Sequence, residues 1–194
     1  LVASTQLVAY SSNGERLGSW GGGHGELAPD GRHALLEGTP ALLMPLTSDA
    51  GRPLEGAPEA IAAAFRPAHD SVAIARASGA VELYDVATAA RLSLLEGTEP
   101  CEALGFSPDG ELLACATAGA RAIVWRVDAR ERTHQLETQR YPFSLSFYGA
   151  GRLLVGDQDR LIQAFGLDRP TPVKTLVGHR RAVFSLAWSA DRQH

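Results

Sequence analysis

Along the middle of the chain, apolar residues gather in short runs that turn residues separate, and the runs repeat. Residues 98–138 show one unit. Cys101 to Phe106 is an apolar run, Ser107-Pro108-Asp109-Gly110 is a turn with its Pro and Gly suitably placed, and Leu112 to Thr117 is a second apolar run. Gly119-Ala120 then breaks the chain. Ala122 to Val127, rich in β-branched and aromatic residues, predicts a third strand, and Thr133 to Leu136 a weaker, more polar fourth. No long stretch carries the 3.6-residue period of a helix, so the unit is predicted to be a four-stranded antiparallel meander.

Three markers recur in one register. Phe65, Phe106, Phe147 and Trp188 are each 41 residues apart; Tyr84, Trp125 and Phe165 follow at 41 and 40; Leu54, Leu95, Leu136 and Leu176 follow at 41, 41 and 40. A single four-stranded sheet cannot bury both of its faces, yet the third strands place apolar groups on both: Val81, Leu83 and Tyr84; Ile123, Val124 and Trp125; Ile162, Ala164 and Phe165. Stacking successive sheets face to face around an axis buries them, which predicts an all-β propeller of four-stranded antiparallel blades.

The period divides the chain into a partial blade at 1–20, blades at 21–57, 58–97, 98–138 and 139–177, and the first strand of a next blade at 178–194. In the partial blade Leu7 to Tyr10 and Arg16 to Trp20 flank an Asn13-Gly14 hairpin turn. In the following blade Leu27-Ala-Pro-Asp-Gly31 ends the first strand, His33 to Leu36 and Ala41 to Thr47 are the middle strands, and Pro53-Leu54 is the last. Nineteen strands result, an array incomplete at both ends. A chain beginning with Leu1 and stopping at the turn after Trp188 reads as a segment of a longer propeller, with a five-blade ring closed by the terminal strands as the alternative.

Composition removes several classes of function. The chain has 194 residues, 45% hydrophobic and 21% charged, which is globular rather than disordered. A formal net charge of −4 gives no broad positive field for nucleic acid or anionic lipid. The longest purely apolar stretch near the middle, Ala60 to Phe65, is too short to cross a bilayer, and the first residues carry no leader pattern. Cys101 and Cys115 have no metal-ligand spacing and read as small apolar fillers on two strands of one hairpin, in keeping with a reducing, cytoplasmic location.

Gly178-His179, the FSPDG-type turn ending in Gly110 and the aromatic closing the third strand (Tyr84-Asp85, Trp125-Arg126) resemble the WD40 repeat over nearly the whole chain. The stretch from Leu176 to Gln193, with Gly178, His179, Val183 and Trp188, looks like the start of a typical unit. The resemblance implies a buried hydrogen-bonded set in each blade, with His179 as a structural core histidine and Asp159, six before Phe165, at the turn-aspartate position. Ser78 and Gly119 stand at that aspartate position in the two preceding repeats, and Ala57 and Thr98 at the histidine position. No repeat has the full set, so apolar packing must carry these blades.

Reactive constellations are poorly represented. Gly18 to Gly25 lacks the Lys-Ser/Thr of a phosphate loop, His24 and His33 lack a third ligand, Asp157 with Asp159 and Asp109 with Glu111 sit at turns, and no nucleophile elbow occurs. The expectation is therefore a non-catalytic scaffold, with no cofactor or metal, whose loop face binds protein or peptide partners. In WD40-like geometry the loops between blades carry Glu59, Glu99, Arg140, Tyr141, Arg180 and Arg181, and the turns between second and third strands carry Arg121 and Arg160; these form the expected contact surface. The alternatives are a sensor or regulatory propeller joined to an ATPase, kinase or protease domain of a longer parent chain, and a propeller enzyme with a site in its channel.

Overall fold

A computed structural model describes residues 6–10, 16–21, 25–29, 31–37, 40–46, 51–56, 59–97, 99–149 and 151–187. Trp188, His24, the Asn13-Gly14 turn, Ala57 and Thr98 lie outside these residues. The described residues form strands and turns without a helix. Strands β1 (Gln6–Tyr10) and β2 (Arg16–Gly21) pair antiparallel, with Leu7 opposite Trp20. Four sheets of four strands follow, each a meander in chain order. The first holds β3 (Gly25–Leu27), β4 (His33–Leu36), β5 (Leu42–Pro45) and β6 (Arg52–Pro53). The second holds β7 (Ala62–Phe65), β8 (Ser71–Ala75), β9 (Val81–Asp85) and β10 (Arg91–Leu95). The third holds β11 (Cys101–Phe106), β12 (Leu112–Thr117), β13 (Arg121–Arg126) and β14 (Glu131–Glu137). The fourth holds β15 (Pro142–Phe147), β16 (Arg152–Asp157), β17 (Ile162–Gly166) and β18 (Lys174–Leu176).

The first strands β3, β7, β11 and β15 pack beside one another, so the sheets fan about one axis as blades of a propeller. Phe65, Phe106 and Phe147 each end such a strand, opposite Val72, Leu113 and Leu153. Leu27 ends β3 at the matching place but is exposed. Tyr84, Trp125 and Phe165 occupy the third strands and are buried.

One apolar layer fills each gap between consecutive four-stranded blades. The second strands show how the layers fit. Val72 and Ile74 face the preceding blade while Ala73 and Ala75 face the next one; Leu113 and Cys115 face back while Ala114 and Ala116 face forward. Large side chains of one blade thus meet small ones of its neighbour. Leu54, Leu95 and Leu136 close the outer part of each layer, each burial contributing about 1.5–3 kcal/mol. Leu176, their counterpart in the fourth blade, is exposed, because no further blade stacks on it among the described residues. Near the axis the residues are small: Ala62, Ala63 and Ala64 in β7, and Gly105 in β11, where an added Cβ would lie 2.6 Å from a Leu145 methyl.

Two expectations need correction here. Residues 182–187 are not a strand, although Ser144 Oγ donates to the Val183 carbonyl at 2.8 Å and the Val183 amide donates to the Asp157 carbonyl at 3.0 Å. A first strand needs a second to complete its ladder, and none pairs with it among the described residues. The cysteines are not free fillers either. Cys101 and Cys115 form a disulfide, Cα to Cα 5.5 Å, inside the layer between the second and third blades. The register explains it: Leu104 lies opposite Cys115, but a slip at Glu102 sets Cys101 opposite Thr117. That bulge turns Cys101 onto the face that Thr117 shares with Cys115, which unbroken alternation would deny it.

Candidate functional site

The loops joining successive blades and the turns between second and third strands lie at one rim of the fan, because every blade runs in the same sense. Glycine permits the close approach there: Gly79, in the turn between β8 and β9, has φ 89°, and a Cβ on it would lie 2.8 Å from the Glu99 amide nitrogen. The equivalent turn positions are Ala120 at φ 57° and Arg160 at φ 73°, both left-handed.

The structure divides the candidate contact residues into two groups. Some are engaged with one another. Glu99 accepts a hydrogen bond from Thr117 Oγ1 at 2.7 Å and pairs with Arg121 Nη1 at 2.7 Å. Arg140 Nε donates to Asp159 Oδ2 at 2.7 Å. In both blades an ion pair of opposite polarity ties the interblade loop to the turn between second and third strands. The others, Glu59, Arg160, Arg180 and Arg181, are exposed, and Arg160, Arg180 and Arg181 form no ion pair among the described residues.

Asp159 and His179 depart from the roles the resemblance implied. Asp159 is exposed in its pair with Arg140, and the buried aspartate of this turn is Asp157, whose Oδ1 accepts the amides of Asp159 and Leu161 at 2.9 Å. Two residues of displacement suffice, since Arg140 at the loop draws the outer carboxylate to the surface. His179 is exposed rather than a core group, because the strand that would enclose it has no partner among the described residues.

Tyr141 stands apart from the charged group. Its ring lies 5.3 Å from that of Phe143, and Phe143 lies 4.9 Å from the exposed ring of Phe184. Its hydroxyl, hydrogen-bonded to the Glu102 carboxylate and then further affected by burial, is pushed up to about 12. Phe143 and Phe184 border a cavity of about 550 Å³ along the axis, lined by the first strands of the blades together with Glu37 and residues 184–186. Glu26 and Glu37 also face it. Glu26 still reaches solvent, yet the surrounding walls, and then Glu37, raise its carboxyl to about 7.

A second charged cluster is internal. Glu82, 3% exposed, accepts the Tyr84 hydroxyl at 2.7 Å and pairs with Arg76 at 3.3 Å and Arg91 at 3.2 Å. Burial raises this carboxyl, but the tyrosine and the two guanidinium groups outweigh it and hold it below its ordinary value. Burial and Glu82 push the Tyr84 hydroxyl well above the usual phenol range. At the opposite rim Arg66, 8% exposed, donates to the Gly110 carbonyl at 2.7 Å and pairs with Asp128 at 2.9 Å, clamping the second blade to the third. Among the described residues no three His, Cys, Asp or Glu side chains are grouped to hold a metal ion, and no helix is long and apolar enough to cross a membrane.

Comparison with known proteins bears on the fold. A family model described as "WD domain, G-beta repeat" matches residues 170–194. No curated protein matches the chain. A solved structure titled "Structure of U3-55K" superposes with a TM-score of 0.75 at 15% identity, covering 89% of this chain and 58% of that one. The chain thus spans less than two thirds of the length of that neighbour.

Proposed function

We propose that this chain, a propeller with a WD40-repeat match at residues 170–194, is a non-catalytic scaffold that binds protein or peptide partners through the rim of interblade loops. The observation that carries this reading is the exposed set at that rim. The loops and turns of this rim carry the exposed Arg160, Arg180 and Arg181 and the half-buried Tyr141, and arginine and tyrosine are the side chains that contribute most at protein interfaces. Arg160 adds weight, because it holds a left-handed conformation that glycine provides at lower cost in the second blade. The ion pairs of Glu99 with Arg121 and Arg140 with Asp159 serve this surface by fixing the loops. Glu59 extends it on the second blade.

The test is affinity purification with the protein and with its Tyr141→Ala, Arg180→Ala, Arg181→Ala triple variant, followed by measured affinities for each recovered partner. Loss of more than about tenfold for at least one partner is expected. Affinities equal within error for all of them would remove this rim as the contact surface.

A further inference from the structure

A smaller cavity, of about 200 Å³, opens between the second and third blades, with Arg66, Ser71 and Ser93 on one side and Val127, Asp128 and Arg130 on the other. Three of these residues differ from what the repeat places at the same position. Arg66 stands where the third blade has Ser107, Ser71 where it has Leu112, and Arg130 where the second blade has Ala89. Two of the three are kept at a cost to the fold. Ser71 is buried and its Oγ has no hydrogen-bond partner, and a stranded hydroxyl destabilises the state that encloses it. Alternation along β8 sets Ser71 on the face of Ala73 and Ala75, which is turned to the third blade and so to the cavity. Arg130 holds φ 55°, a left-handed conformation that glycine takes without strain, and its guanidinium forms no ion pair among the described residues.

Charge selects what fits there. The lining carries two guanidinium groups against one carboxylate, and that carboxylate, Asp128, is 77% exposed. Its pair with Arg66 Nη1 at 2.9 Å shows how an oxyanion is received: a carboxylate of the chain itself already sits on the enclosed guanidinium. A cation would meet a net positive wall, and an apolar occupant would leave the Ser71 hydroxyl stranded. We propose that this cavity binds a small free oxyanion, a carboxylate or a phosphate, which takes the place of Asp128 on Arg66. A rotation about its Cα–Cβ bond lets Ser71 donate to the bound oxyanion, and the long side chain of Arg130 closes over it from the turn. The site goes beyond the scaffold reading and does not depend on it, since it lies away from the rim of interblade loops.

The test titrates sodium phosphate and, separately, sodium succinate into the protein at constant ionic strength, with sodium chloride as the control, and follows the backbone amides by NMR. Saturable shifts centred on Ser71 and Arg130, half complete below about 10 mM, are expected with at least one oxyanion and not with chloride. The tighter of the two names the acid group the site prefers. Ser71→Ala should weaken binding about tenfold, the loss of one hydrogen bond to a charged group, yet melt no lower than the parent because a stranded hydroxyl is gone. Arg130→Gly should weaken it severalfold, also without a fall in Tm. Asp128→Asn, which removes the internal competitor, should tighten it severalfold. Equal responses to chloride, oxyanion shifts scattered over the surface, or a Ser71→Ala protein that binds as tightly as the parent would overturn the proposal.

Discussion

Reducing the bond between Cys101 and Cys115 should loosen the third blade by an amount the chain geometry sets. The two residues are 14 apart, and closing a loop of that size in the unfolded chain is worth about 3 kcal/mol on the chain-entropy account. Both side chains are 1% exposed, so the thiols of the reduced protein stay packed in the same layer and little transfer energy changes hands. For a protein of this size about 2–4 °C of Tm accompanies each kcal/mol, which gives a fall of roughly 6–12 °C. Intact mass under non-reducing conditions comes first, after folding in oxidised glutathione, which accepts the two electrons and two protons as it becomes two thiols. The bonded form should be 2 Da lighter than the dithiol. Calorimetry with and without reductant then measures the Tm difference, and a Cys101→Ala, Cys115→Ala variant should melt low and ignore reductant. Two free thiols after oxidative folding, or equal Tm for both forms, would refute the reasoning.

Two further outcomes follow from side chains already described. The Glu26 carboxyl is raised from 4.5 to about 7, so the folded state holds this proton more tightly than the unfolded chain; the stability it lends is full below about pH 4.5 and lost as pH rises through 7. Melting curves should show a decline between pH 5 and 8 that Glu26→Gln abolishes, whereas Glu82, held low by Tyr84 and its arginines, acts only as pH falls below about 4.5. Arg66→Ala should cost about 2–3 kcal/mol in urea unfolding, because it leaves the Gly110 carbonyl without its charged donor; a loss below about 0.5 kcal/mol would show that the clamp does not hold the blades together.

The blades were legible because their signal is periodic. Phe65, Phe106 and Phe147 end equivalent strands, and the buried Tyr84, Trp125 and Phe165 sit where an apolar third strand packed on both faces must place them. The disulfide was hidden because simple alternation puts Cys101 and Cys115 on opposite faces of their hairpin, and only the slip at Glu102 reverses one of them. Asp157 was missed for another reason: two aspartates in one turn look alike until Arg140 is seen to hold the outer one. Tyr141 was read as a loop residue, and its ring contact with Phe143 emerges only from the coordinates.

The hydrogen atom standing for a side chain at Gly105 has a consequence for the whole array. Sheets that radiate from a common line converge inward, so the volume available between neighbours shrinks toward the hub. The angle between the third and fourth blades is therefore governed by how little matter lies at Gly105 against Leu145. One methyl group there would act as a wedge, splaying that pair by a hinge at the hub and carrying the largest displacement to the outermost strands, where it would alter how many blades a full circle can hold.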